Sequence, residues 1–433
     1  MKFLHISLIS ALLYLLPAAL FAAGDSLIIS ITPDHADYMY HVGDSAAFKI
    51  ELGGLKTKAA PKVLRYRFTR DKTSLITEGE LAADKAGLVL KQSADQPCIM
   101  RLDLELKVGE QTARKATAVG IDPEAIRSTN TPAPDYFRFW AQGIAELLRV
   151  PMDAQEEQIT EDKVPGGKRF RVSLANIEGS RFYGWLSVPA GQGPFPAVVY
   201  IPGAPGRVYE FMTGTHPDYA ENGLLVFAIN IHGIELDRDS VFYQSLLDRI
   251  PGGFSSLGED DPYRYYYRRV VLGAIRAFDY LRTRPDVDTS RLAVAGSSQG
   301  GGLSLLVASL EKRLKAAAFE VPAMCDQTGV FYGRPTGWPH MLDRNSGSDE
   351  RVVRTSRYYD AALAARFVRA PCMFTVSLLD ESCPPTTVYT AYNNAKEPKE
   401  IFVFPNTTHP GSFTAERDLV CIEWLKKTLS EGK

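Results

Sequence analysis

Three side chains of this 433-residue sequence, Ser298, Asp380 and His409, could together cleave an ester. A serine hydroxyl is a poor nucleophile at neutral pH. It needs a base within hydrogen-bond reach, and the base needs an orienting acid. Ser298 is the centre of Gly296-Ser297-Ser298-Gln299-Gly300, the pattern Gly-x-Ser-x-Gly. The pattern alone recurs by chance in many chains, so its surroundings must carry the argument. Downstream of it stand only two histidines, His340 and His409. His409, in Phe404-Pro-Asn-Thr-Thr-His-Pro-Gly, follows the last apolar run, where a base is expected. Asp380 ends Thr375-Val-Ser-Leu-Leu-Asp and is the first residue to leave that run; Glu381 is the second-choice acid. The spacings are 82 residues from Ser298 to Asp380 and 29 from Asp380 to His409. The second spacing fits one helix and one strand.

Those residues must be held by particular elements. Leu292 and Val294, with small residues between them, read as a short buried strand, and Leu303, Leu306 and Val307 begin a helical spacing. A strand passing through a sharp turn into a helix is the setting of a nucleophile elbow. The flanking glycines avoid crowding there, and the helix aims free N–H groups at the place where negative charge develops. Around the elbow, from residue 166 onward, strands and helices alternate. Lys168–Leu174 and Arg181–Val188 read as an opening antiparallel pair. Pro196–Ile201 and Leu224–Ile231 are continuous apolar runs suited to parallel strands covered on both faces. Tyr265–Leu281 reads as a helix, Leu314–Val321, Cys372–Leu379 and Glu400–Phe404 as later strands, and Ala415–Leu429 as a closing helix. Residues 323–367 break the alternation and are expected to form a helical insertion above the sheet edge. The fold class is therefore α/β, the three-layer sandwich of an α/β-hydrolase, over residues 166–433.

The oxyanion hole needs two backbone N–H donors. Gln299, after the nucleophile, supplies one. The loop Pro202-Gly203-Ala204 supplies the other; Pro202 has no N–H, so Ala204 is the candidate, with Gly203 behind it. Within the insertion Phe331, Tyr332 and Trp338 could stack on a sugar ring, although aromatic side chains are more often simply packed.

Composition bounds the rest. Hydrophobic residues at 45% and charged residues at 23% describe an ordinary globular chain able to bury a large core. A net charge of −2 provides no basic field for nucleic acid or anionic lipid. There is no zinc-type Cys/His spacing and no phosphate-cradling Gly-rich loop, and a triad needs neither metal nor cofactor. Residues 1–23 read as a signal peptide: Lys2, an apolar run over 6–21, then Ala22-Ala23-Gly24. Pro17 and the shortness of the run oppose the alternative of a membrane anchor. The mature chain is expected to be exported, periplasmic or secreted, with no stable membrane insertion. Cys98, Cys325, Cys372, Cys383 and Cys421 allow at most two disulfides, and buried free thiols are the competing expectation.

Residues 24–125 carry short alternating runs, Ser26–Thr32, Ala46–Leu52, Val63–Phe68, Gly87–Leu90 and Cys98–Leu106, separated by turn residues. This predicts an all-β, immunoglobulin-like domain, more suited to packing on its neighbour than to binding sugar. His35 and His41 there read as turn residues. Residues 126–165 read as a connector with an amphipathic helix beginning at Tyr136, capped by Asp135.

The C-terminal 250 or so residues resemble the acetyl xylan esterase/cephalosporin C deacetylase family (carbohydrate esterase family 7). The resemblance rests on Tyr265-Tyr-Tyr-Arg-Arg through Arg284-Pro-Asp-Val-Asp, on Gly296-Ser-Ser-Gln-Gly-Gly, and on Leu379-Asp-Glu-Ser-Cys-Pro-Pro-Thr-Thr-Val-Tyr-Thr-Ala-Tyr-Asn. It implies Ser298, Asp380 and His409 as triad, removal of acetyl groups from sugars such as acetylated xylan, and a homo-oligomer. The chain departs from the family at His232-Gly233-Ile234, usually Arg-Gly-Gln, and at Pro202-Gly203-Ala204, usually His-Gly-Tyr. Two other functions are compatible with parts of the sequence. One is a serine peptidase of the prolyl-oligopeptidase type, which shares the triad order but needs a larger N-terminal propeller. The other is a non-catalytic carbohydrate-binding protein on a hydrolase scaffold, against which an intact trio argues.

Overall fold

A computed structural model describes residues 26–54, 62–83, 87–159, 164–204, 219–236, 238–239, 241–242, 245, 253–344, 349–409 and 414–430. The signal segment expected at residues 1–23 lies outside them. Among the described residues eight strands form the N-terminal region: β1 Ile28–Pro33, β2 Met39–Tyr40, β3 Ala46–Gly53, β4 Lys62–Arg70, β5 Ser74–Ala82, β6 Leu88–Gln92, β7 Cys98–Val108 and β8 Gln111–Ile121. They make a three-stranded sheet, β1-β3-β6, and a five-stranded sheet, β2-β8-β7-β4-β5. Phe48 and Ile50 from the first interleave with Leu64, Phe68, Leu102 and Leu104 from the second in a core of their own. Alternation of apolar and polar residues sets those inward faces. Strands β2, β5 and β8 go beyond the expected set, and β2 is only two residues long. Strand β5 is a largely exposed edge, and β8 begins with exposed Gln111 and Thr112, so neither begins with a clean apolar period.

The larger sheet has nine strands among the described residues. They are β9 Gln155–Ile159, β10 Lys168–Ala175, β11 Arg181–Val188, β12 Phe195–Ile201, β13 Leu225–Asn230, β14 Val287–Ser297, β15 Leu314–Glu320, β16 Cys372–Ser377 and β17 Lys399–Phe404. Their order is β17-β16-β15-β14-β12-β13-β11-β10-β9. Strands β12 to β17 pair in parallel, while β11, β10 and β9 add antiparallel pairs at one edge. The connector thus contributes a strand, β9, to the main sheet. Its Gln-Glu-Glu-Gln-Ile sequence is nearly all exposed, and such an edge carries no apolar signature.

Both faces of the sheet are covered. Ala197, Val199 and Ile201 of β12 face the helices Tyr267–Leu281 and Gln299–Leu310, while Val198 and Tyr200 face the closing helix Thr414–Ser430 through Cys421 and Leu425. The helix Tyr136–Arg149 packs on the first of these layers through Phe139 and Trp140. Asp135 occupies its N-cap position, yet its carboxylate accepts from Tyr358 Oη at 2.6 Å and makes no capping bond. Residues 323–367 hold the helices Glu350–Tyr359 and Ala361–Ala364. All five cysteines are buried free thiols. No helix among the described residues is long and apolar enough to cross a membrane.

The strand order reverses between β12 and β14, so the loops leaving their C-terminal ends open onto a crevice. That is where such sheets bind ligands.

Candidate active site

Ser298 leaves the end of β14 and opens the helix Gln299–Leu310. Its backbone sits at φ 58° and ψ −122°, a region that suits glycine. Three hydrogen bonds hold it there. Ser298 N donates to Glu320 O at 2.9 Å, and Ser298 O accepts from Gly302 N at 3.1 Å and Ala323 N at 2.9 Å. The elbow is thus fixed by β15 and by the residues just beyond it, which lets the strain persist.

Gly300 is there for space. A Cβ on it would stand 1.8 Å from Ile201 O, backbone that cannot yield. Gly300→Ala is therefore expected to destabilise the protein by more than ~4 kcal/mol, beyond the ordinary range for one substitution. Loss of a cooperative melting transition in purified protein would show it; a near-native melting temperature would contradict the packing described.

His409 lies in the loop after β17, and Asp380 in the loop after β16. Ser298 Oγ and His409 Nε2 are 2.8 Å apart, and His409 Nδ1 and Asp380 Oδ2 are 2.7 Å apart. The Asp380 side chain is fully buried. Its other oxygen accepts from Ser382 N at 2.9 Å and Cys383 N at 2.8 Å. Asp380, not Glu381, meets the histidine. Glu381 turns away toward the N-terminal domain, where Lys72 and Arg101 hold its carboxyl below the usual range.

The structure brings the expected oxyanion donors near but resolves them unequally. Gln299 is buried at the helix start, its Oε1 accepting from Tyr267 Oη at 2.8 Å. A Cβ on Gly203 would stand 3.5 Å from Ser298 Cβ, so Gly203 rather than exposed Ala204 lies against the elbow. The sugar-stacking candidates separate. Trp338 N donates to Ser382 O at 2.8 Å, tying the indole residue to the acid loop, and its ring tilts toward Phe254 at 6.4 Å. Phe254 in turn meets His232 edge-on at 4.4 Å. Tyr332 is not part of this group; it lines a different cleft, with Arg70, Arg127 and Arg334. His340 stays apart too, near Thr336 and Asp343.

Two side chains at the site had not been picked out from sequence. Cys383 Sγ lies 4.0 Å from Ser298 Oγ, and burial, followed by the Asp380 charge, pushes its thiol well above the ordinary range. Asp380, Cys383 and His409 donor atoms fall within 4.8 Å of one another. They are poorly suited to a cation, because the carboxylate and imidazole atoms are already hydrogen-bonded and the thiol is held protonated. Arg417 of the closing helix donates to His409 O at 3.2 Å and to Ser377 Oγ at 3.1 Å, tying the histidine loop to the end of β16. Ser377 Oγ also receives Thr407 Oγ1 at 2.7 Å. A sequence signal existed for Arg417. It falls four residues before Cys421 and eight before Leu425, a charge on an apolar helical stripe.

Chemically, a hydroxyl hydrogen-bonded to an imidazole that is itself oriented by a buried carboxylate can be deprotonated as it attacks a carbonyl.

Comparison with known proteins gives the same class. Residues 124–428 match the family described as Acetyl xylan esterase (AXE1). The chain is 28% identical to the acetyl esterase Axe7A of Xylanibacter ruminicola, over 91% of this chain and 89% of that one. An acetyl xylan esterase structure from Paenibacillus sp. R4 superposes with TM-score 0.59 and 27% identity, covering 70% of this chain and 98% of that one. Acetyl xylan esterase 1 from Thermoanaerobacterium sp. JW/SL YS485 shares the fold with TM-score 0.58 at 23% identity, covering 70% and 97%.

Proposed function

Because the chain belongs to the acetyl xylan esterase family, and so is a carboxylic-ester hydrolase of α/β fold, we propose that it removes acetyl groups from acetylated xylan or xylo-oligosaccharides by a Ser298–His409–Asp380 triad. The observation that carries the reading is the unbroken hydrogen-bonded line from Ser298 Oγ through His409 to the buried Asp380, 2.8 and 2.7 Å per step. Ser298 attacks the acetyl carbonyl as His409 takes its proton. The sugar hydroxyl leaves, protonated by His409, and water then hydrolyses the acetyl-enzyme while Asp380 stays ionised. The N–H of Gln299 and one from Gly203 or Ala204 face the developing oxyanion.

The substrate side is supported by Trp338, which is anchored to the same loop as Asp380 and flanked by Phe254 and His232. An aromatic wall there offers a face for a sugar ring. Export is supported by Lys2 and the apolar run over 6–21. No metal or cofactor enters the mechanism.

The test is acetate release from acetylated xylo-oligosaccharides, with mass spectrometry of the protein quenched during turnover. Acetate release together with a 42-dalton adduct, the mass of one acetyl group replacing hydrogen, on the peptide containing Ser298 is the expected result. Turnover of long-chain or aromatic esters without acetate release would overturn the substrate, and an adduct elsewhere would overturn the nucleophile. Trp338→Ala is expected to raise KM for the oligosaccharide several-fold while leaving kcat for a small aryl acetate within about twofold, since a stacked ring contributes mainly binding. Equal loss on both substrates would place Trp338 in packing instead.

A further inference from the structure

The tip of the β4–β5 hairpin is built against its own local preferences. Thr73 N donates to Arg70 O at 3.0 Å, closing a tight turn whose central residues are Asp71 and Lys72. Both have positive φ, 50° and 61°. Turns with two such residues favour Asn-Gly, because a Cβ in the left-handed region costs on the order of 1 kcal/mol or more. Aspartate is tolerated there; lysine is a poor choice. Strain of this kind persists where the side chains do something elsewhere.

The side chains of the three tip residues all cross to the catalytic domain. Asp71 accepts from Thr386 Oγ1, at the start of the helix Pro385–Asn394 that follows the acid loop. Lys72 pairs with Glu381, the residue after Asp380. Thr73 Oγ1 donates to Gly333 O of the insertion at 2.7 Å. The tip is braced from its own side, since Asp71 exchanges backbone and side-chain bonds with Ile99 at 2.8 and 2.9 Å. Arg101 of β7, largely buried, adds a second cation on Glu381 at 3.1 Å. The base loop is touched as well, because Asn406, three residues before His409, donates to Tyr38 Oη at 2.9 Å. A pocket of about 200 Å³ is lined by Asp71, Lys72 and Arg101 together with Asp380 and Pro384.

We propose that the β4–β5 hairpin tip is a positioning clamp for the acid loop, with Asp71 and Lys72 fixing residues 380–386 so that Asp380 meets His409. The N-terminal domain is then a working part of the esterase. This rests on Asp380 being the acid of the triad.

The experiment replaces Asp71-Lys72 by Asn-Gly in the full chain. That pair suits the turn better, removes the Lys72 side chain and takes away the Asp71 charge, while the amide oxygen that replaces the carboxylate can still accept from Thr386. Expected is a kcat about tenfold lower on a small aryl acetate with KM nearly unchanged, since displacement of a catalytic group by a fraction of an ångström costs that much. Sites are counted by titration with an active-site phosphonate, so unfolded protein does not contribute. Lys72→Arg, which keeps the cation, should retain most of kcat, whereas Lys72→Gln should not. Unchanged kcat per titrated site in Asp71→Asn/Lys72→Gly and in Lys72→Gln would overturn the clamp. If the double variant loses its fold, Lys72→Gln carries the decision alone. The underlying reading is checked separately with Asp380→Asn: wild-type activity there sinks the triad, while inactivity there with fully active hairpin variants sinks only the clamp.

Discussion

Ser298→Ala is expected to lower kcat for acetate release by about 10⁶-fold without loss of stability. In a hydroxyl–imidazole–carboxylate unit the members act together, and removing the nucleophile costs about as much as removing all three. What survives is the contribution of the oxyanion donors and of substrate binding, roughly 10³-fold over water. The fold should be indifferent. The hydroxyl's partner in the structure is His409 Nε2, and the three bonds that fix the elbow are all made by the Ser298 backbone. Ser298→Gly sharpens the point. At φ 58° and ψ −122° a side chain is strained, and strain of this kind costs on the order of 1–3 kcal/mol. Glycine should therefore be equally inactive yet melt at a higher temperature than the wild type. Thermal melts and acetate assays on the two variants measure both effects. Residual activity within a hundredfold of wild type would remove Ser298 from the role of nucleophile; a lower melting temperature for Ser298→Gly would show that the elbow is not strained.

The hydrogen-bonded line Ser298–His409–Asp380 could be anticipated from sequence because each residue is tied to a topological position. A buried strand ending in Gly-x-Ser-x-Gly, an aspartate where the next-to-last strand ends and a histidine after the last strand leave little choice once strand order is assumed. The order of Asp380 before Glu381 came from a run expected to reach Leu379; β16 ends at Ser377, and it is the loop after it that turns Asp380 to His409 and Glu381 to Lys72 and Arg101. What could not be read is whatever depends on contacts between distant segments. Nothing near Asp71 or Lys72 announces that they meet residues 381 and 386, and an Asp-Lys turn looks like any polar loop. Strand β9 was missed because an exposed edge strand has no apolar period, and β5 because its solvent-facing residues hide its alternation. Ala204 was placed ahead of Gly203 from the missing N–H of Pro202, which does not separate two residues that both carry one, whereas closeness to Ser298 is a property of the folded loop. Tyr332 and Trp338 lie six residues apart and read alike; only the fold sends one to the acid loop and the other to the interdomain cleft.

Asp380→Asn is the more searching test of the mechanism, because it changes one atom and leaves the shape. Asp380 uses its two oxygens differently. Oδ1 accepts two backbone N–H groups, from Ser382 and Cys383, while Oδ2 faces His409 Nδ1. An asparagine must keep its carbonyl oxygen toward the two backbone donors, since turning the amide over would oppose N–H to N–H inside a buried loop. Its NH₂ group then faces Nδ1, which can only accept. The ring proton moves to Nε2, which now donates to Ser298 Oγ instead of taking its proton. The histidine is held in place in the wrong tautomer, and kcat is expected to fall by about 10⁴-fold. Melting temperature should change little, because every backbone bond of the acid loop is retained. Nitrogen-15 spectra of the imidazole distinguish this cause from simple displacement: the proton should be found on Nε2 in the variant and on Nδ1 in the wild type. A variant that keeps the wild-type tautomer and still loses its activity would mean that Asp380 acts by its charge on the imidazolium. One that keeps its activity would mean that the carboxylate is not the acid of the triad.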